Sequence, residues 1–489
     1  MTTVYQELCE VANVAPMTDV LDWQQFSDPT SMADSSRDAR LAAAVRVLVD
    51  SLPAKVHVQR VDRVLIDYLI QQLDSRLKTG LDAILHAPEF QDLESRWRGL
   101  QHLLKAMDGG TATQVDLLDV DKIALQDDFI ESQALHFSGL YQHIYVDEYD
   151  TPGGEPYSAM ITDFSFSAET KELDLLQSMG QVAASAHCPL IANVDQAFFG
   201  KENLADVFGI DCLDTHFEQA RYVPWHQFRE TEWSRYVGLT FPKFLIRLPY
   251  GQQNPVREFY YEETVKHAMK DYCWGAASFS FAANMVTCFQ QEGWTVNIRG
   301  PASGGKVDNL PLHFDQGFED YPKVPTQALI SETKELSLAN LGLIPLSYYK
   351  HTNQACFFSA NSAQRPKIFN DEKAMANSRI NARLPYIFLS SRIAHYLKVL
   401  QRETIGSYHS RMDLENKLNT WLQSLITKMP HPDLQVMASH PLKEGQVEVL
   451  SVEDNPGFYR VNLHMTPHFQ VEGMDVQLSL VSQLPAGET

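Results

Sequence analysis

Short apolar segments alternate with helical segments over most of this chain, from Thr111 to about residue 428. YSAMITDF and PLIANV are brief apolar runs bounded by turn residues, which predicts buried strands. TQVDLLDV, VGLTFPKFLIRLPYG and WTVNIR show the same pattern. Helices are expected between and after these runs, over 168–187, 270–291, 378–404 and 411–428. Alternation of this kind predicts an α/β fold.

The two ends of the chain differ from the part between them, 111–444, which we expect to be the α/β core, in two subdomains. Within residues 1–57 the stretch TDVLDWQQFSDPTSMADSSRDAR is short of aliphatic side chains and rich in Ser and Asp, which predicts a mobile arm with one short helix at LAAAVRVLVD. Residues 445–489 contain three strand-like runs separated by turn residues, which predicts an antiparallel meander. Its last run places three apolar residues on one face of a possible edge strand: Val476, Leu478 and Leu480.

Residues 58–110 are predicted to be a helical region. Apolar residues recur at helical spacing from Val58 to Lys78, and Gly80 is expected to end that helix. A second helix is expected to begin at Pro88, which suits a first-turn position, and to stop at 108–110, Asp-Gly-Gly. One face of the second helix carries apolar residues that need a partner surface: Leu93, Trp97, Leu100 and Leu104.

Charge and cysteine content restrict the partners and the compartment. The 489 residues include 40 Lys and Arg against 62 Asp and Glu, a formal net charge of -22. The basic surface that dominates nucleic-acid affinity is therefore missing, and anionic membranes are equally disfavoured partners. Six scattered cysteines without a CxxC pair are typical of a reducing cytoplasm, and no segment has the pattern of a signal peptide or membrane span. A cytoplasmic location is expected.

One stretch, RGPASGGKVD, has the spacing of a phosphate-binding loop, with Gly300, Gly305 and Lys306 at the required positions. Val307 stands where such a loop needs Ser or Thr to hold magnesium, and the next residues show no helical period. A Gly-rich connection without a nucleotide is therefore predicted.

Metal and catalytic motifs are weaker still. His464 and His468 are four residues apart, but Pro467 breaks the helix that would place them on one face. We therefore expect no cofactor, no metal site and no enzymatic activity, and the unusual chain ends favour assembly. The alternative is a soluble cytoplasmic α/β enzyme with an unrecognised site, which would need polar residues with perturbed pKa values converging in a pocket.

The stretch AILHAPEFQDLESRWRGLQHLL, residues 83–104, resembles the signature of the large contractile sheath subunit of bacterial type VI secretion systems, the TssC or VipB family. Other segments are similar to that family in the same order, over about 60–485: GGEPYSAMITDFSF, VAASAHCPLIA, SRYVGLTFPKFLIRLPYG, FEDYPKVPTQALI, LPYIFLSSRIAHYLK, RETIGSY and NPGFYRVNLHMTPHFQVEGMDVQLSLVSQLP. The chain departs from the family pattern near Trp233, where an acidic residue is usual, and at 331–337, where an Arg-rich segment is usual.

This resemblance implies a fold like that of contractile phage-tail sheaths and a structural function in secretion. The partners it implies are the small sheath subunit (TssB or VipA), neighbouring copies of this chain, an Hcp tube, a baseplate and a ClpV-type AAA+ ATPase that recycles the contracted form. The sheath would lie in the bacterial cytoplasm, on a membrane-anchored baseplate. Contraction would propel the tube.

The resemblance also implies two interfaces. One is an intersubunit sheet that includes four residues of the last strand: Val476, Leu478, Leu480 and Val481. The alternative is that this strand pairs only within its own subunit. The other interface is a small-subunit contact through Leu93, Trp97, Leu100 and Leu104, for which packing on the 58–78 helix of the same chain is the alternative.

Overall fold

The structure is a computed structural model, and it describes most of the chain. The described residues are 2–17, 36–50, 63–107, 113–257, 259–314, 324–350, 352–404, 411–429, 432–451, 458–468 and 478–485. They divide into two compact units. One comprises Met1–Phe90 with Pro249–Asp271, and the other Gln91–Leu248 with Tyr272–Thr489.

Helices and strands are numbered in chain order. The described α-helices are α1 Thr2–Val11, α2 Arg37–Asp50, α3 Arg63–Leu85, α4 Pro88–Ala106, α5 Lys122–Glu131, α6 Gly139–Tyr141, α7 Thr170–Ser185, α8 Leu204–Phe208, α9 Leu213–Phe217, α10 Val223–Glu230, α11 Ala268–Asp271, α12 Ala277–Glu292, α13 Glu332–Asn340, α14 Glu372–Asn381, α15 Leu384–Thr404, α16 Arg411–Gln423 and α17 Leu434–Ser439. A π-helix, Gln142–Asp150, follows α6. The described strands are β1 Met160–Phe166, β2 Leu190–Val194, β3 Val237–Phe241, β4 Phe244–Leu245, β5 Trp274–Gly275, β6 Lys306–Val307, β7 Ile344–Tyr348, β8 Ala355–Phe357, β9 Leu442–Ser451, β10 Phe458–Pro467 and β11 Leu478–Pro485.

In the first unit, α1 and α2 pack on each other within the segment predicted to be an arm. Val4, Tyr5 and Cys9 of α1 are buried with Val49 of α2, and the Tyr5 hydroxyl donates a hydrogen bond to the Ala42 carbonyl at 3.2 Å. The helix predicted at LAAAVRVLVD is confirmed as part of α2. The mobility of 1–57 stays a prediction.

The long helix α3 passes through Gly80, so the prediction that Gly80 ends it was wrong. Helix α3 begins at Arg63, and 58–62 lie outside the described residues. Its last turn is fixed by the 249–271 segment: the Tyr261 hydroxyl donates to Asp82 at 2.7 Å, and His86 lies 3.1 Å from the buried carboxylate of Glu263. These contacts continue the helix past a residue with low helix propensity.

The second unit is built on a six-stranded sheet of order β1-β2-β3-β7-β8-β6. The first four strands are parallel, and β8 and β6 complete the sheet antiparallel. All five residues of β2 are buried, as expected of a central strand covered on both faces. Leu176 of α7 and Phe281 of α12 belong to two different buried clusters of this sheet and its helices. The predicted α/β fold is confirmed.

Two predicted strands were wrong. Residues 113–120 form no strand, and Leu117 and Leu118 are exposed. Residues 294–299 also pair with no strand, although Trp294, Val296 and Ile298 are buried in alternation. Alternating burial needs only an extended segment against a core, whereas a strand also needs a hydrogen-bonded neighbour.

The Gly-rich connection at 300–305 is confirmed as a tight turn. Gly300 and Gly304 have positive φ angles, and the Gly305 amide donates to the Gly300 carbonyl at 3.0 Å. The turn leads directly into β6, and the Lys306 ammonium lies 3.1 Å from Asp308. A phosphate-binding loop would need a helix here instead.

The second unit contains the buried histidine His395 and the partly buried histidine His187. His395 of α15 donates through Nε2 to the Ala186 carbonyl at 2.9 Å, and His187 contacts the Tyr236 hydroxyl at 3.1 Å. Burial lowers the pKa of His187 to about 4 and that of His395 to about 3. Both side chains are therefore neutral in the folded protein at physiological pH.

These histidines predict loss of stability in mild acid. Below about pH 6.5 both histidines become protonated in the unfolded chain, whereas in the folded protein His187 and His395 stay neutral. The free energy of unfolding therefore falls by up to about 1.4 kcal/mol per pH unit for each histidine as the pH is lowered. His187→Asn suits the positive φ of this position. We expect this variant to show a smaller drop in melting temperature between pH 7.5 and 5 than the unmodified chain. Exposed His440→Asn is the control, and equal drops in all three proteins would contradict the assignment.

Candidate assembly surfaces

Helix α4 binds its own unit through one face only. A side chain at Gly99 would place Cβ 2.3 Å from the Phe279 ring of α12. One turn further, Leu103 is buried in a cluster with Ala282 and Val286 of α12. The Ser95 hydroxyl, on the same face, donates to the Trp274 carbonyl at 2.7 Å. The predicted start of this helix at Pro88 is confirmed, and the helix ends at Ala106, shortly before 108–110, which lie outside the described residues.

A buried charge cluster fixes the start of the same helix. The Glu94 carboxylate lies 2.7 Å from Arg247 Nε and 2.7 Å from Arg98 Nε. Glu94 and Arg247 are almost completely buried, so loss of either partner would leave an uncompensated charge in a poorly solvated place. Arg96 adds an ion pair at 2.6 Å with Asp163 of β1. Helix α4 is thus held in register on the core.

The opposite face of α4 carries the predicted apolar stripe. The exposed fractions are 51% for Leu93, 62% for Trp97 and 44% for Leu104, whereas Leu100 is half-buried. The four positions are spaced by four, three and four residues, so they share one face of the helix. An exposed Trp between two exposed Leu residues is typical of a protein-binding surface. Which partner covers this stripe stays a prediction.

The C-terminal meander is confirmed as a three-stranded antiparallel sheet of order β11-β10-β9. One face is buried: Val447, Val461 and Leu463 lie in a cluster with Leu418 and Leu422 of α16. In β11, Leu478, Leu480 and Val481 pair with Met465, Leu463 and Asn462 of β10. Val476 lies outside the described residues.

The two terminal strands of this sheet differ in what covers their outer edges. Asn419 of α16 bonds both to the Val447 amide and to the Val447 carbonyl of β9, at 2.8 Å each. Arg411 donates to the Val449 carbonyl at 3.0 Å. Side chains of α16 therefore occupy hydrogen-bonding positions that a strand added beside β9 would need. Strand β11 is the other terminal strand among those described.

A cavity of about 320 Å³ is lined by Glu232, Arg235, Gln364, Lys367, Phe369, Ala374, Asn377, Ser378 and Asn381. The Lys367–Glu232 ion pair at 3.0 Å satisfies two of its charges, and His187 and His395 do not line it. The described residues contain no group of three or more side chains suited to a metal ion. No described helix has the length and apolar character needed to cross a membrane.

Both departures from the family pattern occupy ordinary structural positions. Trp233 begins a 3-10 turn, Trp233–Tyr236, and is partly exposed. Ser331 caps α13 by accepting a bond from the Lys334 amide, and Glu335 accepts one from the Ser359 hydroxyl at 2.8 Å. The segment 331–337 therefore has its own capping and tertiary contacts.

Sequence comparisons define a tail sheath protein. Residues 67–364 match the family model "EvpB/VC_A0108, tail sheath N-terminal domain", and 373–484 match "EvpB/VC_A0108, tail sheath gpW/gp25-like domain". The type VI secretion system sheath protein TssC1 of Pseudomonas aeruginosa is 35% identical over 474 residues, which cover 95% of this chain and 94% of that protein. The chain therefore belongs to the VipB family of type VI secretion sheath proteins, which are structural proteins and not enzymes.

Two solved structures show a distant likeness. The anti-feeding prophage baseplate matches 75% of this chain and 82% of its own, with 9% identity and a TM-score of 0.35. The contracted helical sheath of the same prophage matches 64% and 63%, with 10% identity and a TM-score of 0.27.

Sequence reasoning found the exposed stripe but missed the residues that set its orientation. Glu94 and Arg247 carry no local signal, because they are distant from each other in sequence. The same holds for Asn419, which covers the edge of β9. Gly99 does carry one, since a glycine inside a strongly periodic helix indicates a close approach of another element.

The two helical glycines predict opposite effects of substitution. Gly99→Ala forces the Phe279 ring to move and should lower stability by about 1–3 kcal/mol. Gly80→Ala meets nothing within 4 Å and should raise stability by about 0.5–1 kcal/mol, because alanine favours the helix. Urea unfolding midpoints measure both effects. Equal shifts in the two variants would show that α4 does not depend on this contact.

Proposed function

We propose that this chain is the large subunit of a contractile type VI secretion sheath, which pairs with a small sheath subunit of the TssB or VipA type. The pairs would polymerise helically around an Hcp tube, on a baseplate. The exposed stripe of α4, in a chain of a sheath family, is the observation that carries this proposal. Co-expression with the small subunit should give long hollow tubules by electron microscopy, and soluble particles alone would contradict it.

Helix α4 is the proposed contact with the small subunit. Its inner face is already occupied by α12, and its N-terminal half is fixed by the Glu94 ion pairs, so a partner meets a preformed surface. Burying Trp97 and Leu93 is worth about 1.5–3 kcal/mol per side chain. Preorganisation reduces the ordering cost of that association.

The stripe can be tested without disturbing the core. Leu93→Glu with Trp97→Glu places two charges on exposed positions and should abolish co-purification with the small subunit, because an unpaired charge is costly in an apolar interface. Leu336→Glu, also at an exposed leucine, is the matched control and should purify with the partner. Retention of the partner by the double variant, at unchanged melting temperature, would exclude this contact.

The C-terminal strand is the proposed link between neighbouring subunits. Because α16 covers β9, the remaining terminal strand, β11, is the place where a neighbour could add a strand to this sheet. The interface residues proposed are Val476, Leu478, Leu480 and Val481. Backbone bonds along such an edge tolerate large rigid-body movement of the subunits, as contraction requires.

Truncation tests whether β11 links neighbouring subunits or pairs only within its own subunit. A chain that ends at Gly473 loses β11 and should still bind the small subunit through α4 but form no sheaths of normal length. A chain that ends at Pro485 keeps β11 and should form normal sheaths. Electron microscopy and co-purification measure the two properties. Normal sheaths from the shorter chain would contradict the proposed role of β11.

The division of the chain into segments, the location of the sheath and its recycling are also proposals. The arm 1–57, the helical region 58–110, the core 111–444 and the meander 445–489 would act as separate parts of the subunit. The sheath would lie in the bacterial cytoplasm on a membrane-anchored baseplate, and a ClpV-type AAA+ ATPase would recycle it after contraction. A head-to-tail interface that does not close generates such a helical assembly.

A further inference from the structure

A second set of exposed apolar residues lies on α5 and in the segments before and after it. We call it the acidic apolar surface. It consists of Leu117, Leu118, Ile123, Ile130 and Phe137, together with the exposed carboxylates of Asp116, Asp119, Asp127 and Glu131.

The fold directs these apolar residues outward. Leu125 is buried, and Val120, Phe129 and Leu135 pack against the main core cluster. On the opposite side, Ile123 and Ile130 are 70% and 72% exposed, and their spacing of seven places them two turns apart on one face. A helix that already buries one face against its own core has no internal use for a second apolar face.

The flanking apolar residues lie next to the same helix. Leu117 and Leu118 immediately precede it, and both are exposed. The Gly139 amide donates to both carboxylate oxygens of Asp128, at 3.1 and 2.9 Å. That contact returns the chain to α5 just after exposed Phe137, so Phe137 also lies close to this helix.

Charge at this surface is of one sign. Asp119, Asp127 and Glu131 have no ion-pair or hydrogen-bond partner among the described residues. Lys122, the one basic residue between 113 and 135, directs its ammonium inward to the Ser165 carbonyl and Glu172. These carboxylates form an anionic rim around the apolar residues. The rim repels acidic proteins, anionic lipid and further copies of a chain whose net charge is -22.

We propose that the acidic apolar surface binds a basic amphipathic helix of a partner protein. The partner's apolar residues would cover Ile123 and Ile130, and its Lys or Arg side chains would meet Asp119, Asp127 and Glu131. Helix-on-helix packing suits a convex helical face, and complementary charge on the rim fixes orientation and raises the association rate. This site shares no residue with the proposed contacts on α4 and β11.

Binding can be measured with the full chain and designed peptides. The probe is a fluorescent 18-residue helix with Leu on one face and Lys on the other. Scrambled Leu/Lys and amphipathic Leu/Glu peptides of the same length are the reference peptides. We expect fluorescence anisotropy to show binding of the amphipathic Leu/Lys peptide at least tenfold tighter than of either reference, with affinity falling as salt rises. Equal affinity for the scrambled peptide would overturn the proposal.

A double substitution distinguishes binding at this site from general electrostatic attraction to an acidic protein. Ile123→Glu with Ile130→Glu adds negative charge, so non-specific electrostatic binding would tighten. The proposal instead predicts at least tenfold weaker binding, because the apolar contact is lost. Ile123→Ser with Ile130→Ser is the milder variant, for use if the first does not fold. Unchanged or tighter binding by the folded variant would overturn the proposal.

A second pair of variants tests the rim. The first is the triple variant Asp119→Asn, Asp127→Asn and Glu131→Gln. Its affinity for the Leu/Lys peptide should be about fivefold lower at low salt and should depend less on salt concentration. Asp211→Asn, Glu218→Gln and Glu230→Gln remove equal charge from other exposed positions and should leave affinity unchanged. Equal weakening by both sets would identify overall charge as the cause and overturn the site. Leu93→Glu with Trp97→Glu should still bind the peptide, which separates this result from the α4 proposal.

Discussion

The close crossing of α4 over α12 determines which part of the molecule is available to a partner. Gly99 allows the two helices to approach until the Phe279 ring fills the space of a side chain. With that face buried, the residues on the other side of α4 are necessarily outside. The Glu94–Arg247 pair fixes the rotation of the helix, because both charges are buried and each satisfies the other. The exposed stripe is thus a consequence of packing within the unit.

The C-terminal sheet has a comparable asymmetry. An isolated three-stranded sheet has two equivalent edges and could grow in either direction. Here Asn419 mimics a neighbouring strand at Val447, donating to its carbonyl and accepting from its amide. The two edges of the described sheet therefore differ, and an assembly built through the β11 side would have a direction. Directional, non-closing contacts are what a helical polymer requires.

The sequence predicted those features that depend on local pattern. Pro88 marks the start of α4 correctly, and the apolar run of β2 indicates a buried parallel strand. The errors occurred where distant contacts override local preference. Gly80 lies inside α3 because Asp82 and His86 bond to a segment about 180 residues later. Trp294, Val296 and Ile298 alternate because their side chains are buried, although 294–299 pair with no strand.

Exposure was the property least accessible from the sequence. Ile123 and Ile130 have the spacing of a core-facing stripe, yet the core uses Leu125 and Phe129 of the same helix. Periodicity shows that two faces exist, but only the fold decides which one is buried. A helix face that only meets solvent needs charged residues but no apolar ones. The combination of acidic residues with exposed Ile123 and Ile130 is therefore informative about a partner. On and beside α5, exposed apolar and acidic side chains occur together, and this combination is the basis of the proposed basic helical partner.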